Sequence, residues 1–302
     1  MKVAIVIVTY KRQEMLQNLL KSICDLSVLP DNVYVIDNEN SAENKNITEN
    51  CKSEINITYF PMQTNTGGAG GFAKGVELAF QSDSDWFWLM DDDVELYKNS
   101  LEEVKPILNW AEKNDHRCIQ PKRHNGNGDD FYWQYKQFPK LGISDPFANM
   151  KFTENEKYKL MNAACFEGGF FSKSLVKEIG FPDSRFFIAM DDTTYGYLAS
   201  KKTQSIYIAN YLFKRARTVD NIKLSKGRQF NTVSNMTRYY YLRNRGYYRQ
   251  YLKKNNDYNP FLYGVGTFYT IAKETVRALI GKQLISGTKQ VFKGWKDSRK
   301  IL

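Results

Sequence analysis

The chain has 302 residues, of which 42% are hydrophobic and 15% aromatic. This length and composition predict one large or two smaller folded domains and exclude an intrinsically disordered protein. The four cysteines are scattered and form no Cys-x-x-Cys pair. We therefore expect neither a zinc site nor a disulfide framework, but reduced thiols in the cytoplasm. The N-terminal apolar run is too short for a membrane span and lacks a signal-peptide cleavage site.

The net charge of +10 is divided unevenly along the chain. Residues 1–200 contain 21 Lys and Arg against 29 Asp and Glu, a net charge of −8. Residues 201–302 contain 22 against 4, a net charge of +18. A basic segment attached to an acidic body predicts an anionic partner for that segment, either membrane phospholipid or nucleic acid.

The hydrophobic pattern of the first 90 residues alternates between buried strands and amphipathic helices. The predicted strands are Lys2–Thr9, Asn32–Ile36, Ile55–Phe60 and Trp86–Met90. The predicted helices are Gln13–Cys24, Ala42–Cys51 and Phe72–Phe80, the last of them after a glycine-rich loop, Asn65–Gly71. This order predicts an α/β fold with a doubly wound, mostly parallel sheet, whose ligands bind at the carboxyl ends of the strands.

Polar residues follow all four predicted strands, and the predicted fold brings these strand ends to one crevice. Arg12 can pair with phosphate, Asp37 can accept a hydrogen bond from a base or ribose, and glycines let the backbone approach a ligand. Taken alone, Asp37 also suits a simple turn, and a glycine-rich segment also suits a flexible connection. The residues that we assign to binding a nucleotide donor are Thr9, Tyr10, Arg12, Asp37, Asn65, Gly67, Gly68 and Asp92.

Three consecutive carboxylates, Asp91, Asp92 and Asp93, directly follow the fourth predicted strand. Adjacent carboxylates repel one another, and a divalent cation removes that repulsion. Because side chains alternate along an extended segment, Asp91 and Asp93 can face the same side and bind one ion. Their hard oxygen ligands suit Mg²⁺ or Mn²⁺, with donor phosphates completing the coordination. A solvated acidic turn is the alternative.

A second carboxylate pair, Asp191 and Asp192, follows the apolar segment Phe186–Met190. Apolar surroundings raise the pKa of a carboxylate and make it a stronger base, which predicts a catalytic role for one of the pair. Capping of a helix that begins near Thr193 is the structural alternative for Asp191.

Upstream of that pair, two glycines lie beside aromatic residues in the sequence FEGGFF. Glycines let the backbone come close to a ligand, and aromatic rings can pack against it, so this segment predicts a floor for a sugar ring. The residues that we assign to acceptor or sugar binding are Trp88, Glu167, Gly168 and Gly169.

Ordered motifs of this chain resemble family 2 glycosyltransferases with a GT-A fold. The motifs are TYKR at Thr9, Asp37-Asn38, NTGGAGGF at Asn65, WFWLMDDDV at Trp86, and the later FEGGFF and FFIAMDD. The resemblance covers roughly residues 1–250 and is closest to the bacterial galactofuranosyltransferase and rhamnosyltransferase branch. It implies inverting, metal-dependent transfer of a sugar, with galactofuranose favoured, from a nucleoside-diphosphate sugar to a cell-surface polysaccharide or lipid-linked glycan. UDP-galactofuranose and dTDP-rhamnose both fit as the donor.

The resemblance also implies roles for individual residues. Asp37 would contact the nucleobase and Arg12 the nucleotide. Asp91 and Asp93 would bind the metal ion. Asp192 would be the base that deprotonates the acceptor hydroxyl while the cation stabilises the leaving diphosphate.

The chain departs from this branch in its histidines. Related galactofuranosyltransferases use a further histidine, downstream of the base, as a metal ligand. Here the only histidines, His116 and His124, both lie upstream of it. Lys214, Arg215 or Arg217 could instead meet the diphosphate and replace part of the charge of the metal.

The basic segment has a helical pattern of its own. Tyr and Arg recur at helical spacing in Asn235–Lys254. The stretch from Pro260 to Leu284 is apolar but interrupted by charges, which predicts an interfacial amphipathic helix and not a membrane span. We therefore predict a catalytic domain over residues 1–230 and a helical tail over 231–302. The tail would attach a cytoplasmic enzyme to the inner face of the membrane, near a polyprenyl-linked acceptor. Alternatively, its tyrosines pack against the catalytic body and its lysines are solvated.

Three other classes of protein remain as alternatives. A sugar nucleotidyltransferase also uses clustered aspartates and a metal, but more typically has a basic phosphate-binding motif near its start. A nucleic-acid-binding protein would suit the Tyr- and Arg-rich tail, but the acidic crevice argues against it, and we expect no nucleic acid partner. A dinucleotide-dependent dehydrogenase would have its glycine loop after the first strand, not the third.

Overall fold

The computed structural model describes residues 1–131, 135–145, 148, 151–218, 221–225, 228–231 and 233–301. Its strands are β1 Val3–Thr9, β2 Asn32–Asp37, β3 Ile57–Pro61, β4 Trp86–Asp91, β5 Val94–Leu96, β6 Cys118–His124, β7 Gln137–Phe138, β8 Ile143–Ser144, β9 Tyr158–Leu160, β10 Phe170–Ser172, β11 Ile206–Arg215, β12 Asn221–Ser225 and β13 Arg228–Asn231. Its helices are α1 Gln13–Cys24, α2 Ala42–Asn50, α3 Gly67–Gln81, α4 Ser100–Lys113, α5 Lys173–Ile179, α6 Asp191–Ser200, α7 Asn235–Lys254, α8 Pro260–Ile280 and α9 Leu284–Ser298.

The central sheet follows the order β3-β2-β1-β4-β10-β6-β11-β5, with β9 beside β11. Strands β1 to β4 pair in parallel, which confirms the predicted order of the first half of the sheet. Strand β10 lies between β4 and β6 and is antiparallel to both, an insertion that the sequence pattern did not predict. The parallel half places four carboxyl ends on one edge of the sheet, as expected for a doubly wound fold.

Strand β1 is buried on both faces because helices cover both sides of the sheet. Ile5 and Ile7 belong to the core layer that α1 covers. Val6 points the other way and packs in the layer of Phe72 and Val76 from α3. This arrangement explains why the first strand is a continuous apolar run with no polar alternation.

Helix α3 begins at Gly67, five residues earlier than predicted, so the glycine-rich segment forms its first turns instead of a loop. The reason is close packing between α3 and β1. A Cβ atom added at Gly71 would lie 2.5 Å from Val8 Cγ1, and one at Gly75 would lie 2.3 Å from a valine of the same strand. Glycines four residues apart share one helix face, and here they let the helix backbone approach the sheet.

The C-terminal helices pack against the rest of the protein. Arg245 of α7 is 2% exposed and donates hydrogen bonds to the carbonyls of Gly142 (2.6 Å) and Leu141 (2.9 Å). The Tyr197 hydroxyl of α6 donates to Asp257, which follows α7, over 2.7 Å. Tyr248 of α7 and Tyr263 of α8 are buried, at 0% and 7% exposure, as the alternative interpretation expected. No helix within the described ranges is long and apolar enough to cross a membrane.

Candidate functional site

The adjacent carboxyl ends of β1 and β4 bring predicted donor and metal residues together. Thr9 Oγ1 donates a hydrogen bond to Asp92 Oδ2 over 2.7 Å. Arg12 Nη1 lies 2.9 Å from Asp92 Oδ1 and 3.2 Å from Asp93 Oδ2. Asp92 is only 2% exposed. Arg12 therefore compensates the negative charge of Asp92 inside the protein. The Arg12 side chain itself remains partly exposed.

Asp91 has a different environment. Burial raises its pKa well above the usual range, and the neighbouring carboxylates of Asp93, Glu167 and Asp92 add to the rise. Arg215 is the cation that opposes this effect. Within the described part of the chain, no side chain donates a hydrogen bond to Asp91. The side chains around Asp91 thus carry more negative than positive charge.

The carboxylates of Asp91 and Asp93 suit a cation that the protein and its substrate bind jointly. In the described residues, no three or more His, Cys, Asp and Glu side chains are already arranged to hold a metal. Asp91 and Asp93 could nevertheless supply two carboxylates to Mg²⁺ or Mn²⁺, because Mg²⁺ is often bound by one or two carboxylates together with substrate phosphates. Such an ion would also relieve the repulsion around Asp91. Metal binding by these two residues stays a prediction.

Glu167 forms a buried ionic cluster with two arginines. Its Oε1 lies 3.4 Å from Arg123 Nη1 and 3.1 Å from Arg215 Nε. Both guanidinium groups lie over the ring of Phe131, at 4.9 and 4.6 Å from its centroid. The carboxylate predicted to bind the acceptor sugar is therefore paired with two arginines, and one of them, Arg215, also acts on Asp91. The sequence pattern did not predict a role for Arg123, although it lies near the carboxyl end of β6.

Three cations were proposed to take the place of a histidine metal ligand, and they lie in different surroundings. Arg215 lies near Asp91 at the end of β11. Lys214 pairs with Glu95 at 2.9 Å. Arg217 donates a hydrogen bond to Met15 Sδ at 3.1 Å. Of these three, Arg215 is the one held in the carboxylate cluster.

Trp88 and the two glycines of the FEGGFF segment belong to the core. Trp88 is 0% exposed, stacks on Phe170 at 4.6 Å and donates from Nε1 to the Gly168 carbonyl over 3.1 Å. The Gly169 carbonyl accepts from a β4 amide over 2.9 Å. A Cβ atom added at Gly168 would lie 2.2 Å from the ring of Phe213. An acceptor sugar cannot reach the ring of Trp88, so we reassign Trp88 and both glycines to packing.

Asp37 ends β2 as predicted, but its side chain builds a turn. Its carboxylate accepts hydrogen bonds from the amides of Glu39 and Ser41 and from the Tyr59 hydroxyl, each at 2.8 Å. The residue is 0% exposed. The geometry thus matches the turn alternative for Asp37, and its contact with a nucleobase stays a prediction.

The neighbouring Asn38 was not predicted, and it connects β2 to the start of α3. Its Oδ1 accepts from the amide and the hydroxyl of Thr66, both at 3.0 Å, and its Nδ2 donates to the Gly67 carbonyl over 3.1 Å. Asn65 Oδ1 accepts from the Gly67 amide over 2.8 Å. A Cβ atom added at Gly68 would have nothing within 4 Å, so the backbone there is open to a ligand. The predicted donor residues Asn65, Gly67 and Gly68 therefore lie together at a helix N-terminus, which favours anions.

Tyr10, the remaining predicted donor residue, lies at the surface after β1. It is 40% exposed, and the Lys11 amine is 5.3 Å from its ring centroid. An exposed aromatic ring beside Arg12 remains available to stack on a base. Its contact with the donor stays a prediction.

Asp191 and Asp192 form the first turn of α6, two residues earlier than the predicted helix start. Burial raises the pKa of Asp191 to about 8, and the adjacent Asp192 carboxylate adds to the rise. Burial also raises the pKa of Asp192, although hydrogen bonds from the Thr193 amide (2.6 Å) and hydroxyl (3.1 Å) to Oδ1 oppose it. A hydrogen bond with the Cys165 side chain also opposes the rise. A carboxylate with a raised pKa is suited to general-base catalysis near neutral pH.

The segment before this pair has an unusual backbone. Phe187, Ala189 and Met190 have φ angles of 64°, 69° and 66°. The left-handed region is unfavourable for residues other than glycine, so surrounding contacts must hold these residues there. One contact comes from α3, because the Ala69 amide donates to the Phe187 carbonyl over 3.1 Å.

Helix α7 supplies the other contacts. Asn244, which is 0% exposed, places its Nδ2 3.0 Å from the carbonyl of Phe186, 2.9 Å from that of Ile188 and 2.7 Å from that of Ala189. Arg243 also donates to the Phe186 carbonyl, over 2.9 Å. The basic C-terminal segment therefore positions the residues that lead into Asp191. Nothing in the spacing of α7 distinguishes Asn244 from an ordinary helix residue.

A half-buried cysteine, Cys165, lies near both groups of carboxylates. The pKa of the Cys165 thiol is raised by burial, and Asp192, Glu167 and Asp91 all add to the rise. Arg123 Nη1 lies 3.7 Å from its sulfur. Asp91, which is predicted to bind the metal, and Asp192, the predicted base, therefore both lie near Cys165. This region could bind a diphosphate on one side and activate a hydroxyl on the other.

Comparison with known proteins identifies the class. The model of glycosyl transferase family 2 matches residues 4–180, more than half of the chain. The protein belongs to this family and is a glycosyltransferase, as the motifs predicted.

Two curated relatives are similar over part of their length. Galactofuranosyltransferase GlfT1 of Mycolicibacterium smegmatis is 26% identical over 203 residues, which cover 63% of this chain and 62% of that protein. The Mycobacterium tuberculosis protein of the same name is 28% identical over 187 residues, which cover 62% of this chain and 60% of that protein. The match thus spans less than two thirds of these relatives.

Solved structures show the fold. Staphylococcus aureus TarS in complex with UDP-GlcNAc has a TM-score of 0.56 at 14% identity, and the match covers 99% of this chain and 92% of that chain. Its complex with UDP has a TM-score of 0.54 with the same identity and coverage. This likeness confirms the predicted GT-A-type α/β fold class with a helical C-terminal region.

We expect Asn244→Asp to disrupt the segment before Asp191, because aspartate has the same shape but cannot donate to the three carbonyls. Unsatisfied buried carbonyls cost about 1–3 kcal/mol each, so urea unfolding should show a loss of about 2–4 kcal/mol. Asn18→Asp, at an exposed position in the middle of α1, is the matched control and should change stability by less than about 0.5 kcal/mol. Equal stability of Asn244→Asp and the native protein would contradict the positioning role.

Proposed function

We propose that this glycosyltransferase transfers galactofuranose from UDP-galactofuranose to a cell-surface polysaccharide or lipid-linked glycan, with inversion at the anomeric carbon. The observation that carries the proposal is the half-buried pair Asp191 and Asp192, with raised pKa values, across Cys165 from Asp91. The name of the aligned relatives, galactofuranosyltransferase, supports this sugar. Transfer of rhamnose from dTDP-rhamnose is the second candidate. Family membership favours both over a nucleotidyltransferase, a dehydrogenase or a nucleic-acid-binding protein.

The residues suit a single displacement. The acceptor hydroxyl oxygen forms a bond to the anomeric carbon, and its proton passes to the Asp192 carboxylate. The bond between that carbon and the diphosphate oxygen breaks, and the nucleoside diphosphate leaves with the electron pair. Arg12 and Arg215 stabilise the negative charge that develops on the diphosphate. When bound at Asp91 and Asp93, Mg²⁺ or Mn²⁺ would supply further Lewis-acid stabilisation to the same group.

Selective stabilisation by a nucleotide tests the donor assignment. A ligand that binds only the folded state raises the melting temperature, and saturation at about 100 times Kd adds about 2.7 kcal/mol to stability. We expect stabilisation by UDP, increased by Mn²⁺, and a smaller effect of dTDP and GDP. Asp91→Asn should lose the Mn²⁺-dependent part, whereas Asp25→Asn, at the exposed C-terminal end of α1, should keep it. Stabilisation by dTDP over UDP would favour the rhamnosyl candidate, and no response to any nucleotide would contradict a donor site.

We also propose that α8 and α9 contact the anionic inner surface of a membrane, where the acceptor would be polyprenyl-linked. Large apolar side chains of α8 recur at helical spacing on its exposed face, and they continue on α9. They are Phe261, Val265, Phe268, Tyr269, Val276, Leu279, Ile280, Leu284, Ile285 and Phe292. Phe268 is 74% exposed and Ile285 is 88% exposed. Residues 201–302 carry the net charge of +18, so an apolar face within a basic segment matches an anionic bilayer surface.

Flotation with vesicles tests this contact in the intact protein. We expect binding to phosphatidylglycerol vesicles, weaker binding to phosphatidylcholine, and release by salt because the attraction is screened. The double variant Phe268→Ser and Ile285→Ser should lose binding. Leu160→Ser removes a half-exposed apolar residue of β9 and should keep it. Equal binding of all three proteins, or none by the native chain, would contradict the proposal.

A further inference from the structure

Glu167 lies next to the aspartate triplet because its chain segment pairs with β4. The amide of the following residue, Gly168, donates a hydrogen bond to the Leu89 carbonyl over 2.8 Å. Leu89 precedes Asp91 by two residues on β4. Glu167 is only 5% exposed. These contacts hold a buried carboxylate at the end of the strand that leads into the triplet.

Arg215 lies next to the same triplet through a different pair of strands. On β11 it is in register with Val94 of β5. The amide of the following residue, Ala216, donates a hydrogen bond to the Asp93 carbonyl over 2.8 Å. The pairing of strands thus brings one cation and one further carboxylate to the aspartates that are predicted to bind a metal ion.

Arg215 is paired with Glu167 and not with an aspartate of the triplet. Its Nε lies 3.1 Å from Glu167 Oε1, and among the described residues Glu167 is the carboxylate with which it forms an ion pair. Asp91 is still within range of both charges, because burial raises its pKa, Glu167 adds to that rise and Arg215 opposes it. Arg215 is therefore close enough to act on Asp91 but is held by another carboxylate.

The position of Glu167 is fixed from β6. Its carbonyl accepts hydrogen bonds from Arg123 Nη1 over 2.8 Å and from Gln120 Nε2 over 3.1 Å. Gln120 Oε1 also accepts from the amide of Cys165, two residues earlier in the same segment, over 3.0 Å. The backbone that carries Glu167 is thus restrained, and its carboxylate offers Arg215 a partner in a fixed place.

Loss of that partner would change the surroundings of Asp91. A largely buried cation is costly without a carboxylate to compensate it. In the absence of Glu167, the triplet beside Arg215 would supply the compensating carboxylate. An ion pair between Arg215 and Asp91 would occupy a carboxylate that suits a divalent cation and would place a positive charge where that cation binds. The guanidinium and the divalent cation would then compete for Asp91.

We propose that Glu167 is a positioning residue, which holds Arg215 away from Asp91 and so keeps Asp91 available to a divalent cation and Arg215 available to the donor diphosphate. This inference rests on the proposed metal-dependent transfer, and it adds a residue that controls the cation site without binding the cation. The effect of Glu167 requires Arg215, whereas a carboxylate that bound the cation directly would act with or without Arg215.

The Mn²⁺ concentration that half-saturates the protein tests this inference without a measurement of sugar transfer. Mn²⁺ is added to protein that is saturated with UDP, and the further rise in melting temperature reports its binding. We expect Glu167→Gln to raise the half-saturating concentration by about tenfold or more, because the released guanidinium pairs with Asp91 and repels the cation. Arg215→Met should not raise it.

The double variant Glu167→Gln with Arg215→Met separates a positioning role from a purely structural one. Once Arg215 is absent, loss of Glu167 should change the half-saturating concentration by less than about threefold relative to Arg215→Met alone. Glu49→Gln is the matched control, because it also removes a carboxylate that pairs with a cation, Lys52 at 2.7 Å, but at the exposed surface of α2. It should stay within about twofold of the native protein.

An unchanged Mn²⁺ requirement in Glu167→Gln would overturn the inference. Equal effects of Glu167→Gln with and without Arg215 would also overturn it, because Glu167 would then act on the cation directly. The comparison of the double variant with Arg215→Met decides this point even if Glu167→Gln alone does not fold. Absence of any Mn²⁺ effect on the native protein would contradict the proposed cation site itself. A Mn²⁺ effect that Asp91→Asn abolishes and Glu167→Gln leaves unchanged would contradict this inference alone.

Discussion

Negative charge is concentrated inside the protein where β4 ends and α6 begins, and neighbouring groups compensate part of that charge. Asp92 is neutralised by Arg12, whereas Asp91 remains in an excess of carboxylates. Like charges held together in a buried site destabilise the fold unless cations or protons compensate them. The arginines around Glu167 and the raised pKa values of Asp191 and Asp192 are two such responses. A nucleotide diphosphate with its cation would be a third.

The basic C-terminal helices are part of this arrangement. Asn244 of α7 holds the strained backbone before Asp191, and α8 places Lys273 beside Tyr241. The opposite face of α8 is apolar and exposed. One helical segment thus supports the predicted base on one side and offers a surface to a membrane on the other. This arrangement would place a membrane-bound acceptor close to the residue that activates it.

The sequence predicted the first four strands and the crevice at their ends because buried parallel strands are continuous apolar runs followed by polar residues. It did not predict the start of α3 at Gly67, because tertiary packing of glycines against β1 overrides their low helix propensity. Trp88 was misassigned because the sequence alone does not distinguish a tryptophan that packs in the core from one that lines a binding site. Asn244 and Arg123 were missed because their roles depend on contacts with residues that are distant in sequence.

The effect of Asp192→Asn on sugar transfer tests the central claim most directly. Asparagine keeps the shape of the side chain but cannot take the proton, and loss of a general base reduces rates by about 10²–10⁴-fold. We predict that transfer falls by this amount while stabilisation by UDP is unchanged. In the native protein, transfer should fall as the pH drops through the raised pKa of this carboxylate pair, because protonation removes the base. Native rates of transfer in Asp192→Asn would contradict the account.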